Sequence, residues 1–172
     1  MRVPFNYLPS QFNEAETDKI LAKMKPVIMS GDFTLGRPLQ ELESAIADRT
    51  GAGYAVGVSS GTSALFLSLK ALGITGEVIT SPLSFFATPA SIATAGAQPV
   101  FADVRDDFNI DPAAIEATIT ARTEAIVPVH WSGRPCDMTA IMEIARKHGL
   151  AVIEDAAQAF GGKWNGQHLG TF

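Results

Sequence analysis

From residue 54 onward, short apolar runs alternate with longer stretches in which apolar residues recur at helical spacing. The runs at 54–59, 77–81, 99–104, 125–131 and 150–155 are bounded by turn residues and predict five β-strands. The stretches between them predict helices over 62–72, ending at Gly73, and over 86–95, ending at Gly96. Asp111-Pro112 opens another helix carrying Ile115 and Ile119, and Asp137 opens one carrying Met138, Ile141, Met142 and Ala145. Such alternation implies right-handed crossovers and a mainly parallel sheet with helices on its faces, a three-layer α/β/α arrangement.

The first 53 residues follow a different pattern. Asn13-Glu14-Ala15-Glu16 has the form of a capping box, and Ile20, Leu21, Met24, Val27 and Ile28 then repeat at helical spacing. Pro26 is expected to kink or interrupt this helix, and Gly31 to close it. After a loop at 32–37, Pro38 suits the first turn of a second helix, with Leu39, Leu42, Ile46 and Ala47 on its inward face before Gly51. Two amphipathic helices result, able to pack on the domain or on a partner subunit. Residues 1–53 are thus set apart from 54–172, within which no linker or internal repeat is visible.

Composition narrows the classes. A length of 172 residues and 47% hydrophobic content suit one domain with an ample core. The net charge is -5 and the 13 Lys and Arg are scattered, which argues against a nucleic-acid partner. The opening Met1-Arg2-Val3-Pro4-Phe5-Asn6 carries no secretory pattern and no run approaches a membrane span, so a cytoplasmic location is expected. A lone cysteine, Cys136, agrees with a reducing compartment.

Chemistry gathers at the carboxyl ends of the predicted strands, where open α/β sheets bind ligands. Asp155 follows the apolar run 150–153, with Gln158 three residues later; Asp155 either addresses a ligand or caps the next turn. Ser59-Ser60-Gly61-Thr62-Ser63 leads into a helix whose free N–H groups, hydroxyls and positive dipole end suit a phosphate, or serve simply as a cap. No Gly-Lys-Ser/Thr ending follows, which disfavours a nucleoside triphosphatase, and Gly51-x-Gly53 precedes its strand, which rules out a dinucleotide fingerprint. In the loop at 82–88, Phe85 and Phe86 cannot both enter one core, so one can offer its face to a flat ligand; packing of both is the plainer alternative. His130 and Cys136 lack the companions of a metal site. Anion cradle, aromatic platform, carboxylate and amide together fit a phosphorylated aromatic heterocycle.

The segments SGTSAL at 60–65, SFFAT at 84–88, VHWSGRPCDM at 129–138 and VIEDAAQAFGGKWNG at 152–166 resemble the DegT/DnrJ/EryC1/StrS sugar aminotransferases, as do the Pro4-Phe5 opening and SGDFTLGR from Ser30. The resemblance implies the fold type I large domain and pyridoxal 5'-phosphate as cofactor. It places the phosphate on Gly61, Thr62 and Ser63, the pyridine ring against Phe85, its nitrogen on Asp155, and its phenolic oxygen on Gln158. It further implies glutamate as amino donor, a nucleotide-linked keto sugar as acceptor, and a site shared within a homodimer. Residues 1–53 would supply helices and a loop contacting substrate or the second subunit.

The family's cofactor-carrying lysine is expected beyond Phe172; Lys70 and Lys163 do not match it, and Phe160 stands where many members carry His. The chain is therefore expected to be the N-terminal part of such an enzyme, without the C-terminal small domain and inactive alone. Two further readings share these residues: a sugar dehydratase of the same family, with His at the lysine position, and a non-catalytic cofactor-binding or assembly module. The resemblance also implies that 99–104, 77–81, 125–131 and 150–155 pair in that order, with 54–59 unpaired because its place lies across a gap two strands wide.

Overall fold

The structure is a computed structural model that describes residues 8–172; the Pro4-Phe5 opening lies outside the described residues. Helices α1 (Glu14–Ser30) and α2 (Arg37–Thr50) come first, followed by α3 (Gly61–Ala71), β1 (Glu77–Thr80), α4 (Ala87–Thr94) and β2 (Gln98–Phe101). Then come α5 (Pro112–Thr118), β3 (Thr123–Val127), α6 (Met138–His148), β4 (Ala151–Val152) and the hairpin β5 (Lys163–Trp164) and β6 (Gln167–His168).

The main sheet has the order β2-β1-β3-β4, with every neighbouring pair parallel. This is the order expected from the resemblance. Alternate residues feed two cores: Val78, Ala125 and Val127 pack with Leu65, Leu69 and Ile92 of α3 and α4, whereas Ile79 and Ile126 pack with Ile115, Ile141 and Ile144 of α5 and α6. Three layers follow from that alternation. The connection from β1 to β2 runs through α4 on one face, and the connections from β2 to β3 and β3 to β4 run through α5 and α6 on the other. Right-handed crossovers require this, because the chain moves one way along the sheet in the first case and the opposite way in the others. Their divergence leaves a crevice beyond the carboxyl ends of β1 and β3.

Three expected boundaries shift for identifiable reasons. The strand expected over 125–131 ends at Val127, because Pro128 has no N–H for the ladder. The strand expected over 150–155 becomes the short β4 for the same reason: its pairing with β3 lapses opposite Pro128 and returns as a bridge between Val129 and Asp155. Ile153 and Asp155 still donate to Ile126 O and Pro128 O, at 3.0 and 2.9 Å, so Asp155 stays anchored to the sheet. Residues 54–59 form no strand and pair with none of the four, with Tyr54 91% exposed.

The helix caps fall where expected. Asn13 Oδ1 accepts from Glu16 N while Glu16 accepts from Asn13 N, both at 3.0 Å, and Gly31 closes α1 in the left-handed region at φ 72°. Pro26 does not interrupt α1, which continues to Ser30. Neither α1 nor α2 buries a residue. The hairpin was not expected, although its Asn165-Gly166 turn, at φ 48° and 88°, is a strong local signal.

Candidate functional site

Segments following β1, β3 and β4 meet the start of α3 around a cavity of about 200 Å³, lined among others by Gly61, Thr62, Phe85, Thr88, Asp155 and Gln158. Leu65 and Val129 give it apolar wall. Five of the six residues singled out from the sequence converge here.

Asp155 is half-buried and fixed on both sides. Its backbone N–H and C=O bond to Pro128 O and His130 N, which sets the strand end. Its Oδ2 accepts from Thr88 Oγ1 at 2.7 Å and its Oδ1 from Ala157 N at 3.3 Å. The carboxylate thus caps the following turn, and Asp155 also lines the cavity. Thr88 has a single hydroxyl proton, and it goes to the carboxylate; Ser84 Oγ, 2.7 Å from Thr88 Oγ1, must therefore donate to Thr88. A chain Ser84 to Thr88 to Asp155 results, with Thr88 fully buried. The roles of Ser84 and Thr88 were not foreseen. Their spacing of four residues at the entry to α4 was the available sign, but the contact with Asp155 spans 67 residues of sequence.

At the start of α3, Ser60 caps the helix by accepting from Ser63 N at 3.0 Å. The N–H groups of Gly61 and Thr62 precede the first intrahelical bond, and among the described residues they find no acceptor. A Cβ on Gly61 would meet nothing within 4 Å, so the space in front of the helix start is open. Ser63 lies behind that opening: its Oγ is 3.0 Å from both Ser59 and Ser60 Oγ, and it does not line the cavity.

Gln158 is exposed, yet its side chain is held. Its Oε1 accepts from Ser132 N at 2.7 Å, and because a backbone N–H can only donate, the amide orientation follows. The Nε2 group finds no acceptor among the described residues. Phe85 and Phe86 are 74% and 78% exposed, and Phe85 alone of the two borders the cavity.

Behind the site lies a buried polar cluster. His130 Nδ1 accepts from Cys136 N at 3.1 Å, so the ring proton sits on Nε2 and donates to Glu154 Oε2 at 2.9 Å. Glu154 Oε1 in turn accepts from Phe172 N at 2.8 Å. Among the described residues, no three His, Cys, Asp or Glu side chains gather as metal ligands. Lys70 donates to Ala95 O at 3.3 Å at the far end of α3, and Lys163 lies in the hairpin; neither borders the cavity.

The sequence profile of the DegT/DnrJ/EryC1/StrS aminotransferase family matches residues 14–172. The chain belongs to that family. It is 45% identical over 173 residues to a Geobacillus stearothermophilus protein named pleiotropic regulatory protein, covering 99% of this chain and 46% of that one. It is 47% identical over 158 residues to the UDP-N-acetyl-3-dehydro-alpha-D-glucosamine 3-aminotransferase of Acidithiobacillus ferrooxidans, covering 90% of this chain and 43% of that one. Among solved structures, NtdA from Bacillus subtilis with bound cofactor PMP superposes with a TM-score of 0.92 at 36% identity, over 98% of this chain and 39% of that one. The chain spans less than half the length of the curated relatives it matches. No described helix is long and apolar enough to cross a membrane.

Proposed function

We propose that the protein to which these residues belong is a cytoplasmic, pyridoxal-phosphate-dependent aminotransferase that moves an amino group, from glutamate, onto a nucleotide-linked keto sugar. The observation that carries this reading is the Ser84–Thr88–Asp155 chain ending in a cavity that also takes in two N–H groups of a helix start, unpaired among the described residues. The donor set fits the cofactor at each end. An anion suits the N–H groups of Gly61 and Thr62, unpaired among the described residues, with the Thr62 hydroxyl as a further donor and Ser63 bracing the helix start from behind, and a protonated ring nitrogen suits an oriented carboxylate.

When bound, pyridoxal phosphate supplies an electron sink that protein side chains lack. The chain's own residues hold and tune it. Asp155 keeps a proton on the ring nitrogen, and Thr88 and Ser84 hold that carboxylate in one orientation. Gln158 Nε2 donates to the phenolic oxygen, while Phe85 covers one ring face and excludes water. Residues 54–172 belong to the cofactor-binding large domain, and 1–53 supply helices and a loop for the substrate or a second subunit, in keeping with the bare faces of α1 and α2. The cofactor-carrying lysine belongs to the remainder of the protein.

The test uses the full-length protein, with glutamate and nucleotide-linked keto sugars as substrates. Asp155→Ala should abolish amino transfer while the phosphate contacts remain. Activity retained within about tenfold, a barrier change of only ~1.4 kcal/mol, would show that Asp155 is not the partner of the ring nitrogen.

A further inference from the structure

A buried amide lies one step behind the cavity wall. Asn109, in the loop between β2 and α5, is completely buried and bonds to both ends of the turn that follows β3. Its Oδ1 accepts from Trp131 N at 3.1 Å, and its Nδ2 donates to Arg134 O at 3.2 Å and Pro135 O at 3.0 Å. Donor-only and acceptor-only backbone partners leave one possible orientation of the amide. Asn109 is itself fixed by its backbone, which bonds to Asp107 Oδ1 at 3.1 Å and to Arg105 N at 2.9 Å.

Between those two ends the turn is forced into an uncommon shape. Ser132 has φ 53° and Gly133 φ 80°, consecutive left-handed residues of which only the glycine is free of steric cost. A Cβ on Gly133 would lie 3.1 Å from Gln158 O, so the turn and the Gln158 segment are in close contact. The turn closes on itself through Gly133 N to His130 O at 3.2 Å and Arg134 N to Trp131 O at 3.0 Å, which leaves Ser132 N free to donate to Gln158 Oε1 at 2.7 Å. An exposed glutamine would otherwise turn freely and offer either end of its amide to the cavity.

We propose that Asn109 is a positioning residue, which shapes the Trp131–Gly133 turn so that Ser132 N–H holds Gln158 with its NH2 group toward the cavity. The inference rests on the reading of Gln158 as donor to the cofactor's phenolic oxygen. That oxygen needs a donor, and a glutamine held by its own oxygen can supply nothing else. Asn109 touches neither cofactor nor substrate; it acts through the turn.

The dissociation constant for pyridoxal phosphate, measured by equilibrium dialysis on the full-length protein, tests this without any activity assay. Asn109→Ala and Gln158→Ala should each weaken binding about tenfold, and the double variant should be no weaker than Gln158→Ala alone. Losses that multiply to about a hundredfold in the double variant overturn the inference, because Asn109 then acts independently of Gln158. Weakening by Gln158→Ala with none from Asn109→Ala also overturns it while sparing the reading of Gln158. Unchanged affinity in Gln158→Ala removes that reading and the inference together. Should Asn109→Ala fail to fold, Asn109→Ser takes its place in the same cycle, since its hydroxyl keeps a small polar group in the buried site yet is too short to bond Trp131 N and the Arg134 and Pro135 carbonyls together, and the same outcomes decide.

Discussion

Cys136 and His130 are neighbours in the core and could be mistaken for a nucleophile and its base. The hydrogen bonds exclude that: Cys136 Sγ donates to Val129 O at 3.2 Å, and His130 Nδ1 is taken by the Cys136 N–H. Burial, aided by the Asp107 carboxylate, pushes the thiol up to about 12. With so little thiolate near neutrality, the native protein should not react with a disulfide reagent on the timescale of an exposed thiol, and reaction should begin with unfolding. Rapid stoichiometric labelling of the folded chain would contradict the packing described. A similar argument applies to the lysines. Lys70 is engaged with Ala95 O and Lys163 sits in the hairpin, so neither borders the cavity. Borohydride, which fixes pyridoxal phosphate to any lysine that carries it, should therefore leave no pyridoxyl group on the 172-residue chain. Mass spectrometry finding that group on Lys70 or Lys163 would refute the assignment of the nucleophile to another part of the protein.

At the entrance to β1, the paired strands are secured by carboxylates. Glu124, on β3, accepts from Thr75 N at 2.8 Å and Gly76 N at 2.9 Å, and those two bonds hold its carboxyl below the ordinary 4.5. Glu77, on β1, is lowered by its bond from Thr120 and then by Arg122, against the opposing effect of burial. Gly76 is required between them, since a Cβ there would lie 2.4 Å from Arg122 O. Because both folded-state values lie below the unfolded ones, their contribution is complete above about pH 4.5 and is lost as pH falls through the folded values. The urea midpoint of the full-length protein should decline in that acidic range, and Glu124→Gln should flatten the decline; an unaltered slope would remove Glu124 from the account. Elements of this kind were readable where the signal is local. Capping residues at Asn13, Asp111 and Asp137 and closing glycines at Gly31 and Gly51 gave the helix ends, and the apolar runs gave β1 and β2. The order of the strands came from family resemblance and not from periodicity. The links of Asn109 to the Trp131 turn and of Thr88 to Asp155 were invisible, because each joins residues far apart in sequence whose types alone do not name a partner.

Over the whole molecule, two kinds of surface are left without cover among the described residues. The first is the apolar stripe of α1, where Leu21 and Ile28 are 56% and 59% exposed and no residue is buried. A helix of 17 residues that buries none of them relies chiefly on its caps and internal bonds, and such helices are marginal in water. The second is the outer edge of β4, which pairs only with β3, together with residues 54–59, which pair with no strand among the described residues. An edge strand without a partner strand is a template for pairing with other chains, and among the described residues only Ser68, Ala71 and Leu72 at the end of α3 and the Gly170–Phe172 segment come near beside β4. The two buried clusters on the faces of the sheet do not remedy this, since they lie between β1, β3 and helices α3 to α6. Expressed as these 172 residues alone, the chain should therefore show less helix by circular dichroism than the structure contains, bind a hydrophobic dye, and associate as its concentration rises. Its thermal transition should be broad and end in aggregation, whereas the full-length protein should melt cooperatively. A chain that stays monomeric at about 100 μM and unfolds in one sharp, reversible step would show that the four-stranded sheet and its two cores are stable without further cover.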